Sequence, residues 1–153
     1  MTFSDLWNFH PGRGSVCDTT IFGNQCAMRM GKALRSNGAS LEGLRTCMSY
    51  NRRRFKSHDP GHVLSAQDLA NKFFQRPNAP GLSAQRFSVF SGSIRSNIGH
   101  LKDRNGMIFI ENGWGSTDHI DLWRGDGVSG ELRGGLRSYF AVGKKIYFWE
   151  ISQ

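Results

Sequence analysis

The chain has 153 residues, 38% of them hydrophobic and 12% aromatic, enough for one domain with a packed core of its own and too apolar for a disordered chain. Lys and Arg number 20 against 12 Asp and Glu, a formal net charge of +8, which favours polyanions such as nucleic acid, anionic lipid or an anionic cell-wall polymer. No apolar stretch reaches membrane-spanning length, the opening MTFSDLWNFHPGRG lacks the basic-then-apolar pattern of a cleaved secretory leader, and nothing repeats at a solenoid period.

Residues 1–22 read as an irregular lead-in, with turns signalled at Pro11-Gly12 and Gly14. A helix is expected next, because Cys26, Ala27, Met30, Ala33 and Leu34 fall on one apolar stripe. Asn24 is its expected cap and Asn37-Gly38 its expected stop. Ser40 opens a second expected helix, with Leu41, Leu44, Cys47 and Met48 on one face. The run NRRRFK at 51–56 reads as a solvated basic loop, without the aromatic spacing or the zinc-finger ligands of common nucleic-acid modules. His58 and His62 stand four apart around Asp59, yet Pro60-Gly61 breaks the helix that a metal pair at that spacing needs.

Ser65 is the expected cap of a third helix through AQDLANKFF, with Leu69, Ala70 and Phe73 inward, followed by the link RPNAPG. Ile94, Ile98 and Leu101 suggest another helix, ending near Asn105-Gly106. From there the period changes: 107–114, 118–123, the stretch around GELRGG, 138–143 and 144–151 read as short strands between glycine turns. Helices first and strands second indicate an α+β domain with an antiparallel sheet. The linkers are too short to divide the chain, so residues 1–153 are expected to form a single domain.

Cys26 falls at the first turn of its expected helix. Unpaired backbone N–H groups and the positive end of the macrodipole meet there, which favours a nucleophilic thiolate and offers donors for an oxyanion. The same residue lies on the apolar stripe, so packing is the competing reading. Cys17, Cys26 and Cys47 are an odd number without a C-x-x-C pair, which argues against structural zinc; a Cys17–Cys47 disulfide is permitted in an oxidising compartment. His119 opens HIDLW on an expected strand, where it shares one face with Asp121 and Trp123 while Ile120 and Leu122 share the other. An imidazole, a carboxylate and an indole together suit a cleft wall, and equally an exposed strand face carrying a chance histidine.

A base of this kind needs a partner on its second ring nitrogen. Asp121 is on the right face, but two strand rises along make a poor reach. Glu131 on the next strand would lie opposite Asp121 and diagonal to His119 with a three-residue loop at 125–127; a two-residue loop would turn it away.

A helix-start cysteine followed by a strand-borne histidine is the order found in papain-like amidases of the NlpC/P60 superfamily. NQCAMRMGKAL with HIDLWRG, GMIFIENGWG before the latter and IYFWEI at the end, resembles the fourth family of type VI secretion amidase effectors over nearly the whole chain. The resemblance implies an NlpC/P60 fold, and an enzyme injected into the periplasm of a competing bacterium. There it would cleave peptidoglycan stems between γ-D-glutamate and meso-diaminopimelate, held in check by a cognate immunity protein in the producing cell, with no cofactor and no nucleic-acid partner. It makes Cys26 the nucleophile and His119 the base and acid. The family's third residue is an acid shortly after the histidine. That position is Gly130 here, so Glu131 beside it is the expected third residue, with Asp121 in reserve and a dyad helped by a backbone carbonyl as the remaining option. The reading from another class is a basic binding module for nucleic acid or wall polymer, and an acyl transferase built on the same Cys–His pair is a third.

Overall fold

The computed structural model describes residues 1–17, 24–46, 63–75, 84–115 and 117–153. Its elements run α1 (Phe3–Phe9), α2 (Cys26–Ser36), α3 (Ala66–Gln75), β1 (Ala84–Ser91), α4 (Ile98–Leu101), β2 (Asn105–Trp114), β3 (Thr117–Gly125), β4 (Gly130–Leu132) and β5 (Lys145–Ile151). The strands form one antiparallel sheet in the order β1-β5-β2-β3-β4. This is the expected α+β class.

The central strand explains the layering. Along MIFI, Met107 and Phe109 point to one face and Ile108 and Ile110 to the other, and all four are fully buried. The first pair packs with Ile120, Leu122 and Trp149 against α1, α2 and α3. The second pair packs with Trp123, Ile146 and Phe148 against Ile94, Leu101 and Phe140. The sheet is therefore covered on both faces, which is why β2 reads as a continuous apolar run instead of an alternating one.

Helix α2 starts at Cys26 and stops at Ser36, as its stripe requires. Gly38 takes φ +87° beyond it, and the Ala39 N–H turns back to the Leu34 carbonyl at 3.0 Å. Ser65 caps α3, its Oγ accepting from the Asp68 N–H at 3.1 Å.

Four expectations are corrected. The lead-in contains α1, closed by a capping box in which the Asp5 N–H donates to Thr2 Oγ1 and the Thr2 N–H to the Asp5 carboxylate. No helix starts at Ser40: Gly43 adopts φ +85°, and Thr46 bridges Val63. Strand β1 was not anticipated; it adds to β5 as an edge with Phe87 and Val89 partly exposed. The expected strand 138–143 is instead a 3-10 turn over Arg137–Ala141, which places Phe140 against Trp123. Cys47, Met48, the NRRRFK run, His58 and His62 lie outside the described residues.

Candidate active site

Two elements deliver the site. At the start of α2 the Gln25 side chain turns inward: Oε1 accepts the Val16 and Cys17 N–H groups at 2.8 and 3.2 Å, and Nε2 donates to the Cys17 carbonyl at 2.8 Å. Gln25 thus pins the preceding chain under the helix start and leaves the capping to Asn24, whose Oδ1 accepts the Cys26 N–H at 3.2 Å. One turn on, Arg29 donates to the carbonyls of Gly14 and Arg13 at 2.9 and 3.1 Å and fastens the lead-in across the helix. Cys26 is 4% exposed, and its Sγ lies 4.0 Å from the Asp118 carbonyl oxygen of β3.

Strand β3 supplies His119 and Asp121. The Asp118 carboxylate accepts the Asn112 N–H at 2.8 Å, closing the irregular end of the β2–β3 hairpin where Asn112 takes φ +52°. His119 Nε2 lies 2.7 Å from Asp121 Oδ2, and the ring lines the same cavity as Cys26, close enough for Cys26 to act on its charge. With Nε2 committed to Asp121, Nδ1 is the nitrogen left for the thiol. Cys26, His119 and Asp121 therefore form one connected set.

This reverses the weighing of the two carboxylates. Strand β4 covers β3 only from Trp123 to Gly125, so the edge beside His119 and Asp121 is open to the chain that follows β4. That chain supplies Gly134 and Gly135, whose N–H groups donate to the Asp121 carboxylate at 2.9 and 2.7 Å; the Leu122 N–H adds a third bond at 2.8 Å. The carboxylate is held toward the imidazole, and the two side chains close the gap that strand rise alone leaves. Glu131 is corrected: Gly125 pairs with Gly130 across a four-residue turn, which sets Glu131 opposite Arg124, where the two pair in solvent. No side chain fits at Gly130 either, because a Cβ there would stand 2.4 Å from the Trp123 indole.

The electrostatics follow from the contacts. Burial works against a charge on His119, but the hydrogen bond to Asp121, the interaction with Cys26 and the charges of both outweigh it, raising the imidazole from 6.5 to about 9. Burial likewise opposes ionisation of Asp121, and its bond to His119, with the charges around it and the Gly134 N–H, holds it below the usual carboxylate range. At neutral pH His119 is an imidazolium whose Nε2–H donates to an ionised Asp121. A histidine whose value is raised on folding stabilises the fold fully below 6.5, and that stability is lost as pH rises through about 9. Thermal melting at a series of pH values is therefore expected to show a loss on the order of 2–3 kcal/mol between pH 6.5 and 10, and His119→Gln is expected to flatten that limb.

Around the thiol, Asn24, Arg29, Trp114, Thr117, Asp118 and Tyr139 help line a cavity of about 400 Å³. Tyr139 stands edge-on to both His119 and Trp114, with ring centres 5.0 and 4.6 Å apart, so it is Trp114, 39% exposed, that forms the aromatic wall of the cavity. Trp123 is fully buried, its Nε1–H donating to the Leu101 carbonyl at 2.9 Å, and is a core residue. A smaller cleft of about 140 Å³, lined by Leu64, Ser65, Ala66 and Gln67, shares Cys26, Asn24 and Asp118 with that cavity. Cys26 thus borders two clefts.

Residues 22–149 match the family described as type VI secretion system (T6SS), amidase effector protein 4. The chain belongs to this family. It is similar in fold to the crystal structure of the type VI effector Tae4 from Enterobacter cloacae, with a TM-score of 0.66 at 19% identity, over 99% of this chain and 96% of that one. It is also similar to the Tae4/Tai4 effector–immunity structure from Salmonella typhimurium, with a TM-score of 0.65 at 17% identity over 98% of both chains. A third likeness is to the Salmonella typhimurium Tae4 in complex with the Enterobacter cloacae immunity protein Tai4, with a TM-score of 0.63 at 17% identity over 98% of both chains. Comparison with curated proteins gives no match.

Proposed function

We propose that this amidase effector is a cysteine endopeptidase of peptidoglycan, a single papain-like NlpC/P60 domain over residues 1–153. Its bond would be the one between γ-D-glutamate and meso-diaminopimelate in the peptide stems. The observation that carries the reading is the connected set at the start of α2: Cys26, His119 and Asp121, with Nε2 of the imidazole 2.7 Å from the carboxylate.

The Cys26 thiolate attacks the γ-glutamyl carbonyl to form a tetrahedral adduct. As the adduct collapses, His119 Nδ1–H protonates the departing diaminopimelate amine and a thioester remains. Neutral His119 then takes a proton from water, which attacks the thioester; the acid product leaves and Cys26 is restored. Asp121 keeps its charge throughout and steadies the imidazolium. The helix start remains the expected source of the oxyanion's donors. The Cys26 N–H already bonds Asn24 Oδ1, so an incoming oxyanion must displace Asn24 or be met by Asn24 Nδ2, which lies 3.5 Å from the same Asp118 carbonyl that flanks Sγ. The two clefts that Cys26 borders give the stem room at the thiol.

The net charge of +8 suits an anionic wall polymer. Delivery by the type VI machine into a target periplasm, and a cognate immunity protein that closes the cleft, complete the reading; two of the similar structures are effector–immunity pairs. Digestion of purified sacculi, with the muropeptides read by mass spectrometry, is expected to give fragments ending at γ-D-glutamate and fragments starting at diaminopimelate. Cuts at another amide would move the specificity within the same class. Folded protein that releases no fragments but binds sacculi with a steep salt dependence would replace the enzyme with a basic binding module.

A further inference from the structure

Asp121 has a second imidazole beside it. His10 ends α1, its N–H donating to the Leu6 carbonyl at 3.0 Å, and it is 2% exposed. The Gly12 N–H donates to His10 Nδ1 at 3.0 Å, so Nδ1 is the acceptor and the neutral ring carries its proton on Nε2. Nε2 lies 3.7 Å from Asp121 Oδ1, and among the described residues it has no hydrogen-bond partner. A buried donor without a partner is rare, and an aromatic ring of similar size would fill the space without one.

We propose that His10 is a positioning residue for the amidase site: its Nε2–H, 3.7 Å from the far oxygen of Asp121, closes on that oxygen as His119 loses its charge, so that the near oxygen stays on His119. The role rests on the cysteine-endopeptidase reading above. The surroundings suit a neutral imidazole. The charged and titratable groups acting on it are Asp121 and His119 of β3, Arg133 of the segment after β4 and Arg29 of α2. Burial, with Arg133, Arg29 and His119, outweighs the pull of Asp121 and lowers His10 to about 4. A cationic His10 would neutralise Asp121 and compete with His119 for its charge; a neutral donor orients the carboxylate and leaves the charge for the base. When His119 gives its proton to the leaving amine, Asp121 loses its cationic partner, and the His10 N–H is the donor placed to close on it. Catalytic hydrogen bonds that are long in the free enzyme commonly tighten in this way.

The test separates the two nitrogens. His10→Gln places an amide donor near the Nε2 position, His10→Asn keeps an acceptor for Gly12 but stops short of Asp121, and His10→Phe keeps only volume. The ring ¹⁵N titration of His119 is read in each variant without substrate, beside kcat and KM on a purified stem peptide and the melting temperature. His10→Gln is expected to leave the His119 midpoint and kcat near wild type. His10→Asn and His10→Phe are expected to raise the midpoint by about one unit, because the contact they remove favours the neutral ring, and to lower kcat roughly tenfold, with KM unchanged. An unmoved His119 midpoint in folded His10→Asn overturns the proposal. So does a loss in all three variants that follows melting temperature alone. If the Asn and Phe variants do not fold, the wild-type ¹⁵N spectrum decides: a proton on His10 Nε2 from pH 5 to 8 is expected, and a proton on Nδ1 overturns the role. The titrations need no turnover, so a wild-type protein that cleaves nothing fails the endopeptidase reading without deciding the His10 result.

Discussion

Cys26→Ala is expected to leave no measurable cleavage of sacculi, a fall of roughly 10⁴-fold or more, because removing a nucleophile disables the triad as a unit. The fold should survive. Alanine is the best helix former, so the first turn of α2 is retained, and the Asn24 cap accepts a backbone N–H that the substitution does not touch. What is lost is a buried sulfur beside the Asp118 carbonyl and its action on the His119 charge. That cost is on the order of 1 kcal/mol, or roughly 2–4 °C in melting temperature for a domain of this size. His119 should also titrate lower, because two of the contributions that raise it come from Cys26. Muropeptide analysis, calorimetry and the His119 titration check the three parts. Full activity in folded Cys26→Ala would remove the cysteine mechanism.

The elements legible in the sequence are those whose side chains obey one period for long enough. Helix α2 shows its stripe over eleven residues, and β2, β3 and β5 combine apolar runs with glycine turns. Helix α1 has seven residues and buries only Phe3 and Leu6, too few for a stripe to stand out; the Thr2-x-x-Asp5 capping box was the available signal. The stretch SYFAVG looked like a strand because strand propensity reports fitness for a half-buried surface, and here that surface is the flank of Trp123.

The site divides in the same way. Cys26 and His119 were legible because each pairs an unusual residue with a defined place, a helix start and a strand opening onto a turn. Strand rise alone sets Asp121 out of reach of His119. What makes it reach is the shortness of β4, which ends after three residues and lets Gly134 and Gly135 fold back on the carboxylate. The glycine pair was visible in the sequence, but its target was not, because the length of β4 is settled by packing at Gly130 under Trp123. His10 was hidden for a similar reason: a lead-in read as irregular gives no direction to its side chains.

Asp121→Asn against Glu131→Gln is the sharpest discrimination the two carboxylates allow. Four donors converge on Asp121: the N–H groups of Leu122, Gly134 and Gly135, and Nε2–H of His119. A carboxylate accepts all of them with its two oxygens, whereas an asparagine offers one oxygen and turns a donor toward other donors. At least one buried N–H is then unmet, at a cost of about 1–3 kcal/mol. The charge that holds His119 as an imidazolium also disappears, so the ring is neutral at the pH where it must protonate the leaving amine. Turnover is expected to fall roughly 10³- to 10⁴-fold, the scale of the same change in other triads. Glu131 and Arg124 are both about half exposed, and such a surface pair contributes at most about 1 kcal/mol. Glu131→Gln should keep kcat within about twofold, because its side chain pairs on the surface while the groups that raise the imidazole are Asp121 and Cys26. Rates on one purified stem peptide, measured for both variants beside their melting curves, decide it: a large loss in Glu131→Gln with Asp121→Asn spared would return the orienting role to β4.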